Sequence, residues 1–241
     1  MMVFEFICGA RMHVAYISLF GVSDNNSVGI FDMINFILIS NVLLLDIYDS
    51  FCVNNRIFYL RLRGISLMSI FDLSSNSISG VLARATGICY DLRALSPYEC
   101  YNLFNFEINT SFFGDALDRV TLRNLDMRNS IKIIYQAIHK ISGTTNSSFI
   151  YSDVQIENLI FLFYTIWINP GTGVSYSCIE APKGEYNVFI FSFATFLTRV
   201  RIRCSDFVHL LVLDNFIRGY LLGDLVALIG NIDCVFGSID R

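Results

Sequence analysis

Lysine, histidine and proline are scarce in this chain of 241 residues. Three lysines (Lys132, Lys140, Lys183), three histidines (His13, His139, His209) and three prolines are present, while arginine supplies 14 of the 17 basic residues. So uneven a ratio has no folding explanation and points to codon bias of the kind found in organellar genes. Charge is also thin: charged residues make up 16% of the chain and the net charge is −4. With no basic run, binding to nucleic acid through phosphate neutralisation is excluded. No block of like charges marks an interaction tail. No two of the seven cysteines form a C-x-x-C pair, and their number is odd. That argues against a disulfide scaffold and against a tetrahedral zinc site, leaving reduced thiols that act as small apolar core residues.

Long apolar runs are missing too. A membrane-spanning helix needs about 20 consecutive apolar residues. Met33–Leu45 is bracketed by Asp32 and Asp46. Leu159–Ile168 runs into the turn signal Asn169-Pro170-Gly171, and Val188–Leu197 is followed by Arg199, Arg201 and Arg203. Such lengths suit buried elements of a soluble fold. Met1–Tyr16 carries neither a secretory pattern nor an Arg-rich, Ser-rich presequence. The expectation is a protein made in the compartment where it works, or one whose N-terminal portion lies elsewhere.

What is abundant is apolar surface. Hydrophobic residues make up 54% of the chain and 22 residues are Phe, a balance shifted towards a membrane protein or a heavily buried subunit. Periodicity predicts a helix over Asp32–Asp49, punctuation at Asn54-Asn55, and a Ser/Asn loop over Ser74–Ser79. The clearest amphipathic helix is Asp115–Lys140, with Leu117, Val120, Met127, Ile131, Ile134 and Ile138 on one face and Thr121 and Asn124 interrupting it. A polar loop follows over Ser142–Ser148, then a helix over Gln155–Trp167. Alternation then predicts strands at Val174–Glu180, Tyr186–Ser192 and Val200–Cys204. Helical periodicity returns over Asp206–Ile229, with Gly230 as its cap. The fold class is α+β, mainly helical, with a small antiparallel sheet, in a single domain spanning 1–241.

Chemistry is hard to find in the residues themselves. The three histidines lie far apart without a partner at ligand spacing, which reads as structural. No nucleophile elbow, P-loop or dinucleotide fingerprint is present. Ala83-Arg-Ala-Thr-Gly87 has a single glycine and no following Lys-Ser. Glu180-Ala-Pro-Lys-Gly-Glu185 surrounds a Pro/Gly turn and reads as a surface hairpin.

A resemblance adds more. Gly9-Ala10-Arg11-Met12-His13, Asn54-Asn55-Arg56-Ile57, Ser79-Gly80-Val81 and Arg84-Ala-Thr-Gly-Ile-Cys-Tyr-Asp-Leu-Arg93 are similar, in order and spacing, to the quinone-site subunit of respiratory complex I (NADH-quinone oxidoreductase), the NADH dehydrogenase subunit seven family. Pro97-Tyr98-Glu99, Gly114-Asp115, Asp118-Arg119 and Ile179-Glu-Ala-Pro-Lys-Gly-Glu-Tyr186 continue the match. Phe207-Val-His-Leu210, Gly223-Asp-Leu-Val-Ala-Leu-Ile-Gly230 and Asp233-Cys-Val-Phe-Gly237 close it. The likeness is to the C-terminal half of that family and runs from about residue 4 to Arg241.

The resemblance implies a fold like the large subunit of nickel–iron hydrogenases, with the metal pocket reused for quinone. Hydrogenases chelate with two Cys-x-x-Cys pairs; Cys234 here has no such companion, so no metal, flavin or NAD is expected on this chain. It implies that His13 lies beside the terminal 4Fe-4S cluster of the neighbouring small subunit, and that Asp233 and Val235 line the quinone pocket. Arg84, Arg93, Glu180, Lys183 and Glu185 are expected to serve structure and subunit contacts. Implied partners are the small iron–sulfur subunit, a further peripheral-arm subunit and ubiquinone, in the peripheral arm on the matrix side of the mitochondrial inner membrane. The family's head-group His and Tyr belong to an N-terminal half that this sequence does not contain, so that half is expected as a separate chain. Two other readings remain open: a non-catalytic structural fragment of the same complex, and a truncated reading of a longer subunit. Departures are local. Ser18-Leu-Phe-Gly21 stands for the family's Arg-Pro-Gly-Gly, Gly219-Tyr220 for its Gly-His, and Ser192–Leu197 for its Ser-Asp-Gly-Ser-Ser-Arg.

Overall fold

The structure is a computed structural model, and it describes residues 17–18, 21–22, 28–143, 171–194, 196–235, 237 and 239. A two-residue ladder, β1 (Ile17–Ser18) and β2 (Gly21–Val22), precedes α1 (Val28–Tyr48), which runs into a π-helical turn at Asp49–Val53. Short helices follow: α2 (Arg56–Leu62), α3 (Ile70–Asn76), α4 (Val81–Ala85) and α5 (Leu92–Leu95). The long α6 (Ala116–Gly143) comes next. Three antiparallel strands, β3 (Gly173–Ala181), β4 (Gly184–Phe193) and β5 (Phe196–Arg203), form a meander in the order β3-β4-β5. Two helices, α7 (Ser205–Ile217) and α8 (Leu222–Ile232), complete the described fold. The α+β class and the antiparallel sheet agree with the sequence reading; the predicted helix over Gln155–Trp167 lies outside the described residues.

Local chemistry sets these boundaries. Asn55 caps α2 by accepting from the N–H groups of Ile57 (2.9 Å) and Phe58 (3.4 Å), so the Asn-Asn punctuation marks a helix start. The loop expected over Ser74–Ser79 begins late. α3 opens on a reciprocal capping box between Ser69 and Asp72 and continues to Asn76. Ser74, Ser75 and Asn76 turn their side chains back onto the carbonyls of Phe71 and Asp72 instead of breaking the helix. Another correction concerns Asp206–Ile229, which is two helices separated at 218–221. Gly230 lies inside α8, and the left-handed cap is Asp233 (φ 58°).

The main core gathers Met68, Leu73, Ile78, Leu82, Ala83, Val212, Phe216 and Ile232, so α3, α4, α7 and α8 share one apolar centre. α6 is gripped from two sides. Ile138 packs with Ile34 and Leu38 of α1, while Leu122 packs with Val81 and Ala85 of α4. This explains why its expected single stripe fails: Met127 and Ile134 are exposed, whereas Asn124, read as an interruption, is buried against Asp49. Arg119 is fully buried. Its guanidinium donates to Ser66 Oγ (3.0 Å), Ser66 O (2.6 Å) and Gly114 O (3.0 Å) and lies 4.7 Å from the Phe216 ring centre. Burial, then repulsion from Arg123, lowers its pKa to about 10.

The thiol expectation is half corrected. None of the described cysteines forms a disulfide, but only Cys204 is buried; Cys89 and Cys100 are exposed. Among the described residues one helical stretch, Ile34–Val53, is long and apolar enough to cross a membrane by length and composition; α1 does not stop at Asp46 but runs on into the π turn, with Asp46 and Asp49 inside that length. Asp46 and Asp49 are both engaged: Arg128 of α6 donates to Asp46 (2.7 Å) and to Asp49.

Candidate functional site

The two predicted pocket residues lie where α8 ends. Asn231 and Ile232 are buried, Asp233 turns the chain in the left-handed region, and Val235 is 48% exposed. Two contacts from α6 fasten this end. Asn231 Nδ2 donates to Ala116 O at 2.7 Å, and the Arg123 guanidinium donates to Asn231 O. Burial holds Arg123 below the usual guanidinium range, opposed by the nearby Asp233 carboxylate.

Lys183 reaches the same place from the β3–β4 hairpin. Its Nζ stands 3.6 Å from Asp206 Oδ1 and 3.9 Å from Asp233 Oδ1. Asp206, in the first turn of α7, is buried; the Asp233 side chain is 55% exposed. The Cys234 thiol beside them is pushed up, first by burial and then by Asp206. The hairpin was expected at the surface, and the register Ala181↔Gly184 confirms a hairpin. Its tip, however, is pressed onto Ser79-Gly80. A Cβ on Gly80 (φ 73°) would fall 2.3 Å from Lys183 O. Ser79 also receives the N–H of Glu185 on its Oγ (3.0 Å) and the Nε2 of His209 on its carbonyl (3.3 Å). Burial, partly offset by that hydrogen bond, lowers the His209 pKa to about 4, so the ring is neutral at pH 7.

Behind the hairpin lies a network of buried charges. Arg84 pairs with Asp126 through two hydrogen bonds (2.9 and 3.3 Å) and approaches Asp91 at 3.7 Å. Arg93 grips Asp91 at 2.7 and 3.1 Å. Glu180 accepts from the Leu92 N–H at 3.3 Å. Burial, then Asp91, raises its pKa to about 7. Glu185 accepts from Asn187 (2.8 Å), Tyr176 (2.9 Å) and Tyr90 (3.2 Å). Burial opposes its charge, but the hydrogen bonds from Asn187 and Tyr176 prevail and hold it below the usual carboxylate range. Tyr176 and Tyr90 are each pushed up to about 12, by burial and by Glu185. The residues of the Glu180–Glu185 motif thus do structural work within the chain.

Of the sequence-derived candidates, Asp233, Val235 and Lys183 are brought together, and His13 lies outside the described residues. Asp91 and Arg123 stand in matching motifs without a role read for them, and Asp206 and Asp126 were missed, since a lone acid on a helical stretch gives no sign of its tertiary partner. Among the described residues no group of three or more His, Cys, Asp or Glu side chains could hold a metal ion.

What these residues define first is a class: an α+β chain whose candidate site is a half-exposed helix end, held by ion pairs and by contacts from α6. The family comes from comparison. A model described as "Respiratory-chain NADH dehydrogenase, 49 Kd subunit" matches residues 1–241, and the chain belongs to that family. It is 43% identical over 242 residues to the "NADH-ubiquinone oxidoreductase 49 kDa subunit homolog" of Trypanosoma brucei brucei, covering 99% of this chain and 63% of that protein. It is 34% identical over 254 residues to an NADH-quinone oxidoreductase subunit of Ruegeria sp. strain TM1040, covering 100% of this chain and 63% of that protein. A third relative, the "NADH-ubiquinone oxidoreductase 49 kDa subunit, mitochondrial" of Neurospora crassa, is 35% identical over 253 residues, covering 99% of this chain and 52% of that one.

Proposed function

We propose that this chain is a component of mitochondrial NADH:ubiquinone oxidoreductase, in the peripheral arm on the matrix side, where it supplies part of the wall of the quinone cavity. The observation that carries the reading is the half-exposed segment at Asp233 and Val235, backed by Lys183 and Arg123, in a chain of this family. An apolar cavity with a few placed polar groups is what a quinone requires. A Val at the wall and an Asp beside it fit that need.

The reaction served takes two electrons and two protons to ubiquinone, giving ubiquinol. The electrons originate at NADH and arrive through iron–sulfur centres of neighbouring subunits, and their passage drives the proton translocation of the complex. This chain's share is to shape the cavity and tune its surroundings; it holds no flavin, NAD or metal. His13 is assigned to the side facing the terminal 4Fe-4S cluster of the small subunit, where an added electron on the cluster favours a protonated imidazole. The small iron–sulfur subunit and a further peripheral-arm subunit are its neighbours.

The test is to tag the chain in its host and purify the complex from mitochondria. The chain is expected in a high-mass assembly with NADH:ubiquinone reductase activity. Val235→Met is expected to change quinone KM or inhibitor sensitivity by about tenfold, the scale of one methylene-sized change in an apolar pocket. Absence of the chain from the active complex rejects the proposal.

A further inference from the structure

Lys183, which backs the Asp233–Val235 segment, is itself held in place from two sides. Its backbone cannot shift, because Gly80 lies against its carbonyl and a Cβ on Gly184 would meet Ser79 Oγ at 2.7 Å. The ammonium nitrogen is shielded from solvent and has no hydrogen-bond partner among the described residues. Its nearest anions are the two carboxylates at 3.6 and 3.9 Å. A buried ammonium is tolerated only beside compensating charge. The two acids differ in freedom. Asp206 is 5% exposed and built into α7, whereas Asp233 is open to solvent and ends α8 on a left-handed backbone. Asp206 therefore anchors Lys183, and Lys183 in turn restrains Asp233. Arg123 holds the neighbouring carbonyl of Asn231 from the opposite side. Two cations from distant parts of the sequence clamp a short segment whose next residues include Val235.

We propose that Lys183 is a positioning residue: held between Asp206 and Asp233, its ammonium fixes the Asp233–Val235 segment and so sets the shape of the quinone-facing wall. The inference rests on the cavity reading above. Side chains that bound a pocket work only when their supports keep them within a fraction of an ångström of place.

Lys183→Met keeps the length of the side chain and removes the charge. In the complex purified from the host, it is expected to raise quinone KM about fivefold or more and to shift inhibitor sensitivity, as loss of a positioning contact does. NADH oxidation by an artificial acceptor that takes electrons ahead of the quinone stays unchanged per complex. Lys183→Arg restores most of the affinity, because the cation persists. Asp206→Asn reproduces the Met phenotype, and it serves as the second probe should the Met variant not assemble. Adding Asp233→Asn to Lys183→Met brings no further loss. Wild-type quinone kinetics in Lys183→Met or Asp206→Asn, or additive losses in the double variant, overturn the proposal. If Val235→Met shifts quinone KM while Lys183→Met does not, the clamp alone fails. If Val235→Met has no effect either, the cavity reading fails with it.

Discussion

Glu185 accepts three side-chain hydrogen bonds within one hairpin and its surroundings, while Glu180, five residues earlier, keeps a pKa raised to about 7. One carboxylate is satisfied by donors; the other meets burial and a neighbouring acid. The difference predicts a pH dependence. Glu180 binds its proton more tightly folded than unfolded, so its ionisation weakens the fold as pH rises from about 4.5 towards 7. His209 does the opposite. Its lowered pKa means the unfolded chain takes up the proton first, so stability falls as pH drops from about 6.5 towards 4. Thermal-inactivation curves of the purified complex at several pH values are expected to show Glu180→Gln flattening the loss on the neutral side. His209→Gln flattens it on the acid side. Gly80 supplies a second residue-level prediction. With a positive φ and a Cβ position occupied by the Lys183 carbonyl, Gly80→Ala is expected to cost about 3 kcal/mol or more, read as loss of assembled complex.

Among elements, the short helices depend most on their ends. α2 has seven residues and one buried side chain, Leu62. Its Asn55 cap therefore matters more than its packing. Asn55→Ala is expected to lower stability by about 1 kcal/mol, measurable as a fall in Tm of the complex or as faster proteolysis near α2. α4 and α6 are joined differently, through the Arg84–Asp126 pair beneath the sheet. Arg84→Met leaves Asp126 in a largely buried site without its cation, while Asp91 keeps Arg93. A loss of about 3–5 kcal/mol is expected, against a smaller one for the double change Arg84→Met/Asp126→Leu. A double-mutant cycle on thermal stability reads the difference. At this scale much was legible. Strands at 174–180, 186–192 and 200–204 were readable because alternation survives in any antiparallel sheet, and α6 was readable from its length. The break at 218–221 was not, because Gly219-Tyr220 is flanked by residues that continue the apolar pattern.

For the whole molecule, the balance of apolar residues returns as exposed surface. Phe36, Ile39, Leu43, Leu44, Ile47 and Phe51 along α1 and its π turn are all more than half exposed, as are Ile57 and Leu60 on α2. A contiguous apolar surface of this kind is unusual on a free soluble protein. Produced alone, the chain is expected to bind a hydrophobic dye strongly and to self-associate in analytical ultracentrifugation. A dye-silent monomer contradicts the reading of a subunit buried in a larger assembly.

Sequence alone determined the family, the helix–sheet–helix order and the motif that places Lys183 and Gly184 at a hairpin tip, because local periodicity and motif spacing are properties of the chain before it folds. It also named Asp233 and Val235, through resemblance. Only the tertiary structure decided that the hairpin tip presses Lys183 and Gly184 onto Ser79-Gly80, that Asn124 is a contact and not a flaw, and that Lys183 stands between Asp206 and Asp233. Those partners lie 23 and 50 residues further along the chain than Lys183. Electrostatic pairing depends on distance in space, which no local pattern of residues encodes. The segment named at the outset by two residues, Asp233 and Val235, has in the folded chain a cation on each side, Lys183 near the Asp233 carboxylate and Arg123 on the Asn231 carbonyl.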